Sequence, residues 1–93
     1  MNEDFDPEWI IELARAQVSD RTDIIEALKN CCKGTSESRA YIHFVSQKNA
    51  NQPNSEWQFE ENIVLEHPKK GTIVLDVLKD KRIGGIEFVS LIN

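Results

Sequence analysis

Apolar side chains follow a helical spacing in the first third of the chain and an alternating one in the rest. Over residues 7–18 they recur every three or four positions, which predicts an amphipathic helix. Asp6 offers a carboxylate to the free amides of the first turn, and Pro7 suits the first helical position. A first helix is therefore expected directly after Asp6.

The helical spacing returns after Ser19-Asp20, a second helix-start signal. It continues through Cys31 and Cys32, and Lys33-Gly34 has the composition of a helix end. The pattern predicts a second amphipathic helix, so that the helical segment spans residues 6–33.

Alternation of apolar and polar residues predicts strands after Gly34. Their expected ranges are residues 39–46, 56–66, 72–78 and 83–92. The range 56–66 fits either one bent strand or two, and the polar residues 47–55 form a loop. Gly84-Gly85 predicts a bulge or a close backbone contact in the last strand.

These elements predict a single α+β domain over residues 1–93. Two N-terminal amphipathic helices pack on an antiparallel β-meander of four or five strands, within residues 39–92. The helices are expected to cover one face of the sheet.

Composition places the chain among globular proteins. Hydrophobic residues make up 40% and charged residues 29%, and no apolar run approaches the roughly 20 residues of a membrane-spanning helix. The first residues, Met1-Asn2-Glu3-Asp4, lack the basic and apolar regions of an export signal, so a cytoplasmic protein is expected. Cys31 and Cys32 are neighbours, poorly placed to pair with each other, and fit the role of small apolar residues.

The net charge of −5 is concentrated in the first third of the chain. Residues 1–33 hold eight acids and four bases, whereas residues 34–93 hold eight acids and seven bases. A negative surface repels phosphate, so nucleic acids and anionic membranes are not expected as partners, and a basic protein is favoured. Acids also keep a small domain in solution, which is the simpler interpretation.

The sequence contains no spacing typical of a catalytic or metal site. His43 and His67 belong to no zinc-binding motif, and no glycine-rich phosphate loop precedes a helix. Glu60 and Glu61 are neighbours whose side chains should point to opposite faces of a strand. We therefore expect no enzymatic activity, no cofactor and no metal.

Residues 72–89 resemble the closing hairpin of the small prokaryotic proteins grouped as domain of unknown function 2283. In that hairpin an aspartate, a charged turn and Gly-Ile-Glu follow one another, as do Asp76 and Gly85-Ile86-Glu87 here. The opening strand is also similar, so the resemblance covers residues 37–90, although Lys81 replaces the family's turn glycine. Some members are suspected antitoxins, and the resemblance implies the fold more than the function.

The leading functional hypothesis is a non-catalytic protein-binding module, of the antitoxin or immunity-inhibitor kind. Its candidate partner-binding residues are the N-terminal acids Glu3, Asp4, Glu8 and Glu12. The alternative is a structural, self-assembling domain such as a homodimer. Apolar residues on both faces of the expected strand 83–92 favour this alternative.

Pairing of the last two strands should place Asp76 opposite Glu87 or within two residues of it. Directly opposed carboxylates repel, so we expect a bulge at Gly84-Gly85 or an intervening cation, Arg39 or Lys79. One interpretation of the pair is a metal or proton site. The other, which we favour, is that Asp76 fixes the turn while Glu87 faces solvent or a base.

Overall fold

A computed structural model describes residues 2–92, which form two helices and six strands. In chain order these are β1 (Asn2–Asp4), α1 (Glu8–Gln17), α2 (Thr22–Leu28), β2 (Lys33–Ser38), β3 (Tyr41–His43), β4 (Phe59–His67), β5 (Gly71–Leu78) and β6 (Ile83–Phe88), with a 3₁₀ turn at Val89–Leu91. The α+β class and the two N-terminal helices agree with the prediction. Neither helix in this part of the chain has the length and apolar content to cross a bilayer.

All six strands join one antiparallel sheet in the order β1-β2-β3-β6-β5-β4. The expectation of four or five strands in a meander is therefore wrong, since β6 lies between β3 and β5, and β1 precedes both helices. The missed strands β1 and β2 are short and mostly polar. Their strand conformation depends on pairing with neighbours, and such pairing leaves no alternating pattern in the sequence.

The first helix begins and ends one residue inside its predicted range. Asp6 Oδ1 accepts the amide hydrogen of Glu8 at 3.0 Å, so the aspartate binds a free amide of the first turn as expected. Pro7 is the N-cap residue, however, and not the first helical residue that the sequence predicted, which is Glu8. Ile10, Ile11 and Ala14 are buried and form the face that packs on the sheet.

The second helix is shorter than predicted because Lys33-Gly34 starts β2 and does not end a helix. Phe5 donates its amide hydrogen to the Cys32 carbonyl at 2.9 Å, which draws this segment into the sheet. Both cysteines are free thiols, and Cys31 is buried whereas Cys32 is exposed, so the expected apolar role is wrong for Cys32. Burial, with the neighbouring Cys32 adding to it, raises the pKa of the Cys31 thiol to about 12, which fits the role of a small apolar residue.

The strands also differ from prediction at their ends. β3 covers only Tyr41–His43, and β4 is one strand with an irregular register between Phe59 and Glu61. β6 stops at Phe88, where the expectation placed a strand as far as residue 92. Only β5 matches its predicted range to within one residue.

The helices cover one face of the sheet and enclose the main core. Its fully buried large side chains include Ile10, Ile24, Leu28, Leu65, Ile73, Leu75 and Ile86. On the second face, the loop of residues 46–58 covers one end and encloses a smaller cluster of Val45, Trp57 and Leu78. The rest of the second face has no element lying on it in the described chain.

Both glycines of the Gly84-Gly85 pair lie beneath aromatic rings of the second face. The register between β5 and β6 shifts at Gly84, which confirms the predicted irregularity. A Cβ atom at Gly84 would lie 2.7 Å from the Trp57 ring, and one at Gly85 would overlap the Tyr41 hydroxyl. The close backbone contact expected from the sequence is therefore also present.

Candidate functional site

The four acids predicted to bind a partner are all exposed: Glu3, Asp4, Glu8 and Glu12. The structure divides them into two pairs with different surroundings. Asp4 forms an ion pair with Lys33, and Glu3 accepts a hydrogen bond from Ser36 Oγ at 3.1 Å, so both contribute to the contact between β1 and β2. The two acids of α1 lie one turn apart, and within residues 2–92 their carboxylates have no ion-pair or hydrogen-bond partner.

The second acidic pair, Asp76 and Glu87, shares the second face of the sheet but is not directly opposed. Asp76 lies opposite Gly85, and Glu87 lies opposite Val74. Of the two arrangements that we expected, the register shift at Gly84 is present, and the group beside Asp76 is a tyrosine and not a cation. Tyr41 donates its hydroxyl hydrogen to Asp76 Oδ2 at 2.8 Å and so joins β3 to β5 across β6.

Folding raises the pKa values of both Asp76 and Tyr41. The expectation that Asp76 fixes the turn is wrong, since its carboxylate accepts a hydrogen bond from Tyr41 on β3. Burial raises the pKa of Asp76 and the charge of Glu87 adds to this, while the Tyr41 hydrogen bond opposes it. Burial, followed by the contact with Asp76, also raises the pKa of Tyr41, so the phenol keeps its proton and remains a donor. Within residues 2–92 no three His, Cys, Asp or Glu side chains are grouped to hold a metal.

Replacing Asp76 with asparagine tests this electrostatic account through pH. Because the pKa of Asp76 is raised by folding, its contribution to stability is full below the ordinary carboxyl value of 3.8 and is lost as the pH rises through the folded-state pKa. We therefore expect the free energy of unfolding of Asp76→Asn to rise relative to that of the wild type as the pH rises from 3.8 through the folded-state pKa of Asp76. Urea unfolding of both proteins across a pH series measures it, and a constant difference would contradict the account.

The two histidines have separate local contacts. His67 Nδ1 accepts amide hydrogens from Lys69 and Lys70 at 3.0 and 2.9 Å, which shapes the turn between β4 and β5. His43 Nδ1 lies 3.0 Å from Glu37 Oε1, at ion-pair distance but without hydrogen-bond geometry. Neither contact resembles a metal site.

The feature that sequence reasoning missed is the outer edge of β4, where the sheet ends. The side chain of Gln17 makes two hydrogen bonds to the backbone of Glu66: Nε2 donates to the carbonyl at 2.6 Å, and Oε1 accepts the amide hydrogen at 2.8 Å. These are the two bonds that a neighbouring strand would make. Gln17 therefore occupies one pairing position of the edge.

The remaining positions of this edge follow from the strand's alternation. Because the backbone groups of Glu66 point away from β5, those of Val64 and Asn62 point the same way, where the described sheet has no further strand. The Val64 side chain is 55% exposed, on the second face. Two pairing positions are thus open to another chain.

Acids surround these open positions. Glu60 and Glu66 are exposed on β4, where Glu60 forms an ion pair with Lys81 at 3.2 Å and Glu66 accepts a hydrogen bond from Thr72 Oγ1 at 2.8 Å. Glu61 forms an ion pair with Arg21, which also forms one with Asp23. The only sequence signal for this site is Gln17, a polar residue that follows the apolar spacing of α1.

The chain matches no protein-family model, no curated protein and no solved structure. The resemblance of residues 37–90 to domain of unknown function 2283 therefore stays a prediction.

Proposed function

We propose that the chain is a protein-binding module that receives an extended segment of a basic partner on the free edge of β4. The observation that supports this is the contact of Gln17 with Glu66. The Gln17 side chain makes the hydrogen bonds of a neighbouring strand at Glu66 but not at the other outward-facing positions of β4. Asn62 and Val64 offer the next two positions. Addition of a strand to such an edge is a common mode of peptide recognition.

The acids of the edge favour a different protein over a second copy of this chain. If two β4 strands paired antiparallel about Ile63, Glu60 of one would lie opposite Glu66 of the other. Like charges opposite each other destabilise a sheet. A lysine- or arginine-bearing strand would instead meet favourable charges, and the net charge of −5 would speed its approach.

The function that fits this surface is inhibition of the antitoxin or immunity kind. An inhibitor of a nuclease or a similar toxin occupies a basic surface, and acids accelerate that association more than they tighten it. Glu60 and Glu66, exposed on β4 beside the proposed contact, are the residues we assign to this steering.

A display library of random peptides about 12 residues long tests the strand-addition site. We expect the selected peptides to be rich in lysine, arginine and β-branched residues. Val64→Pro removes the outward amide hydrogen while leaving the bonds to β5, and it should weaken binding by about tenfold or more. Val64→Thr keeps the amide and is the matched control.

Circular dichroism and the urea midpoint establish that both variants fold. Peptides that bind Val64→Pro as tightly as the wild type would overturn the proposed site. Selection of acidic peptides, or binding that does not weaken with salt, would overturn the proposed basic partner.

A further inference from the structure

Exposed apolar side chains concentrate at one end of the molecule. Of the five large apolar residues that are exposed in the described chain, three lie within residues 89–92: Val89 (38%), Leu91 (36%) and Ile92 (53%). The other two, Phe59 and Val64, both belong to β4. Apolar side chains grouped in this way mark an interaction surface more often than apolar side chains scattered singly.

A side-chain hydrogen bond anchors the turn that carries these side chains. Ser90 Oγ donates a hydrogen bond to the Lys70 carbonyl at 2.8 Å, which fastens the 3₁₀ turn to the turn between β4 and β5. Gly71 permits this approach, since a Cβ there would lie 3.1 Å from Ser90. The exposed residues are therefore presented by an anchored turn.

Three cations border these side chains. Arg39, Lys69 and Lys70 surround a cavity of about 350 Å³ that is also lined by Phe88 and Leu91. Within residues 2–92 none of the three cations lies within ion-pair distance of a carboxylate, although the chain as a whole is acidic. We call the set Arg39, Lys69, Lys70, Val89, Leu91 and Ile92 the end patch.

Free acids lie beside the end patch as well. Lys70 Nζ is 5.0 Å from the centre of the Trp9 ring, and that ring stacks on Phe88 at 6.1 Å, so the start of α1 adjoins the end patch. Glu8 directly precedes Trp9, and Glu12 follows one turn later. Within residues 2–92, the unpaired cations and exposed apolar residues of the end patch thus adjoin the helix that carries these two unpaired acids.

From this arrangement we infer that the end patch binds a second copy of the chain in a two-fold symmetric dimer. A two-fold interface uses the same surface on both subunits, so that surface must contain both members of each contact. The cations of one subunit would then meet Glu8 and Glu12 of the other around the apolar residues. A typical interface takes about 800 Å² from each partner, which this chain can supply from its 5702 Å² of surface.

Sedimentation equilibrium at concentrations up to about 100 micromolar tests the inference, with dimer expected for the wild type. Ile92→Asp should weaken dimerisation by about tenfold or more. Val64→Asp, which alters an equally exposed residue on β4, should leave it unchanged. A strictly monomeric wild type would overturn the inference, and so would a dimer that Val64→Asp disrupts and Ile92→Asp does not.

Charge reversal tests the pairing itself. The double variants Arg39→Glu/Lys69→Glu and Glu8→Lys/Glu12→Lys should each dimerise about tenfold less well than the wild type, because like charges then meet. An equal mixture of the two should form heterodimers, since each reversed side chain again meets an opposite charge. Failure of the mixture to associate, with both variants folded by circular dichroism, would contradict the proposed contacts.

Discussion

Replacing Leu28 with alanine is expected to lower the free energy of unfolding by about 3 to 4 kcal/mol. Leu28 is fully buried between α2 and the sheet. The helix has seven residues and no side-chain hydrogen bond at its N-cap, so it lacks the length to be stable alone. Its stability must therefore come from the packing of Ile24, Ile25 and Leu28. Urea unfolding with the linear extrapolation measures the loss.

Thr22→Ala is the matched control in the same helix. Thr22 is exposed, and its replacement should change the stability by less than about 0.5 kcal/mol. If both variants lost similar amounts, the loss on replacing Leu28 could not be attributed to its burial. That result would contradict the account of the core.

Gly84→Ala is expected to destabilise the protein by about 2 to 3 kcal/mol. The added Cβ would lie 2.7 Å from the Trp57 ring and 3.0 Å from Leu78, closer than such atoms normally approach. Because Trp57 is buried and fastens the loop of residues 46–58, the ring cannot move without loosening the second cluster. Thermal or urea unfolding of the variant measures the effect.

A double-mutant cycle with Trp57→Leu identifies the cause. In that background the smaller side chain leaves room for the Cβ, so Gly84→Ala should cost clearly less than in the wild type. An equal cost in both backgrounds would show that the penalty arises from the backbone of β6 and not from the ring. Trp57→Leu alone also destabilises the protein, and the cycle subtracts this loss from that of the double variant.

The sequence predicted the elements whose pattern is local. α1 is fixed by its buried face and Asp6, and β5 by the alternation of Ile73, Leu75 and Val77. The pairing of β5 with β6 was also accessible, because the turn between them sets the register that places Asp76 opposite Gly85. Each of these follows from neighbouring residues.

The parts that could not be predicted depend on distant residues. β1 and β2 are polar, and their strand conformation comes from pairing such as that of Glu3 with Gly34. The apolar residues after Phe88 looked like a strand, but the anchoring of Ser90 turns that segment into a 3₁₀ turn. Contacts between residues far apart in the chain, such as these, leave no periodic pattern in the sequence.

Some features of the candidate site could likewise be predicted from the sequence, and others depend on the fold. The exposure of Glu8 and Glu12 could be expected from their positions on the polar face of α1. The free edge of β4 could not, because it depends on the strand order and on a contact between residues 17 and 66. The cations of the end patch likewise come from separate turns that only the fold brings together.

Amide hydrogen exchange tests the central claim, that β4 receives a strand, most directly. The measurement follows the protein by nuclear magnetic resonance with and without a display-selected basic peptide. Exchange at Asn62 and Val64 should slow by about tenfold or more on binding, while Glu66, already bonded to Gln17, should change little. A bound peptide that slows exchange at neither Asn62 nor Val64 would contradict the account.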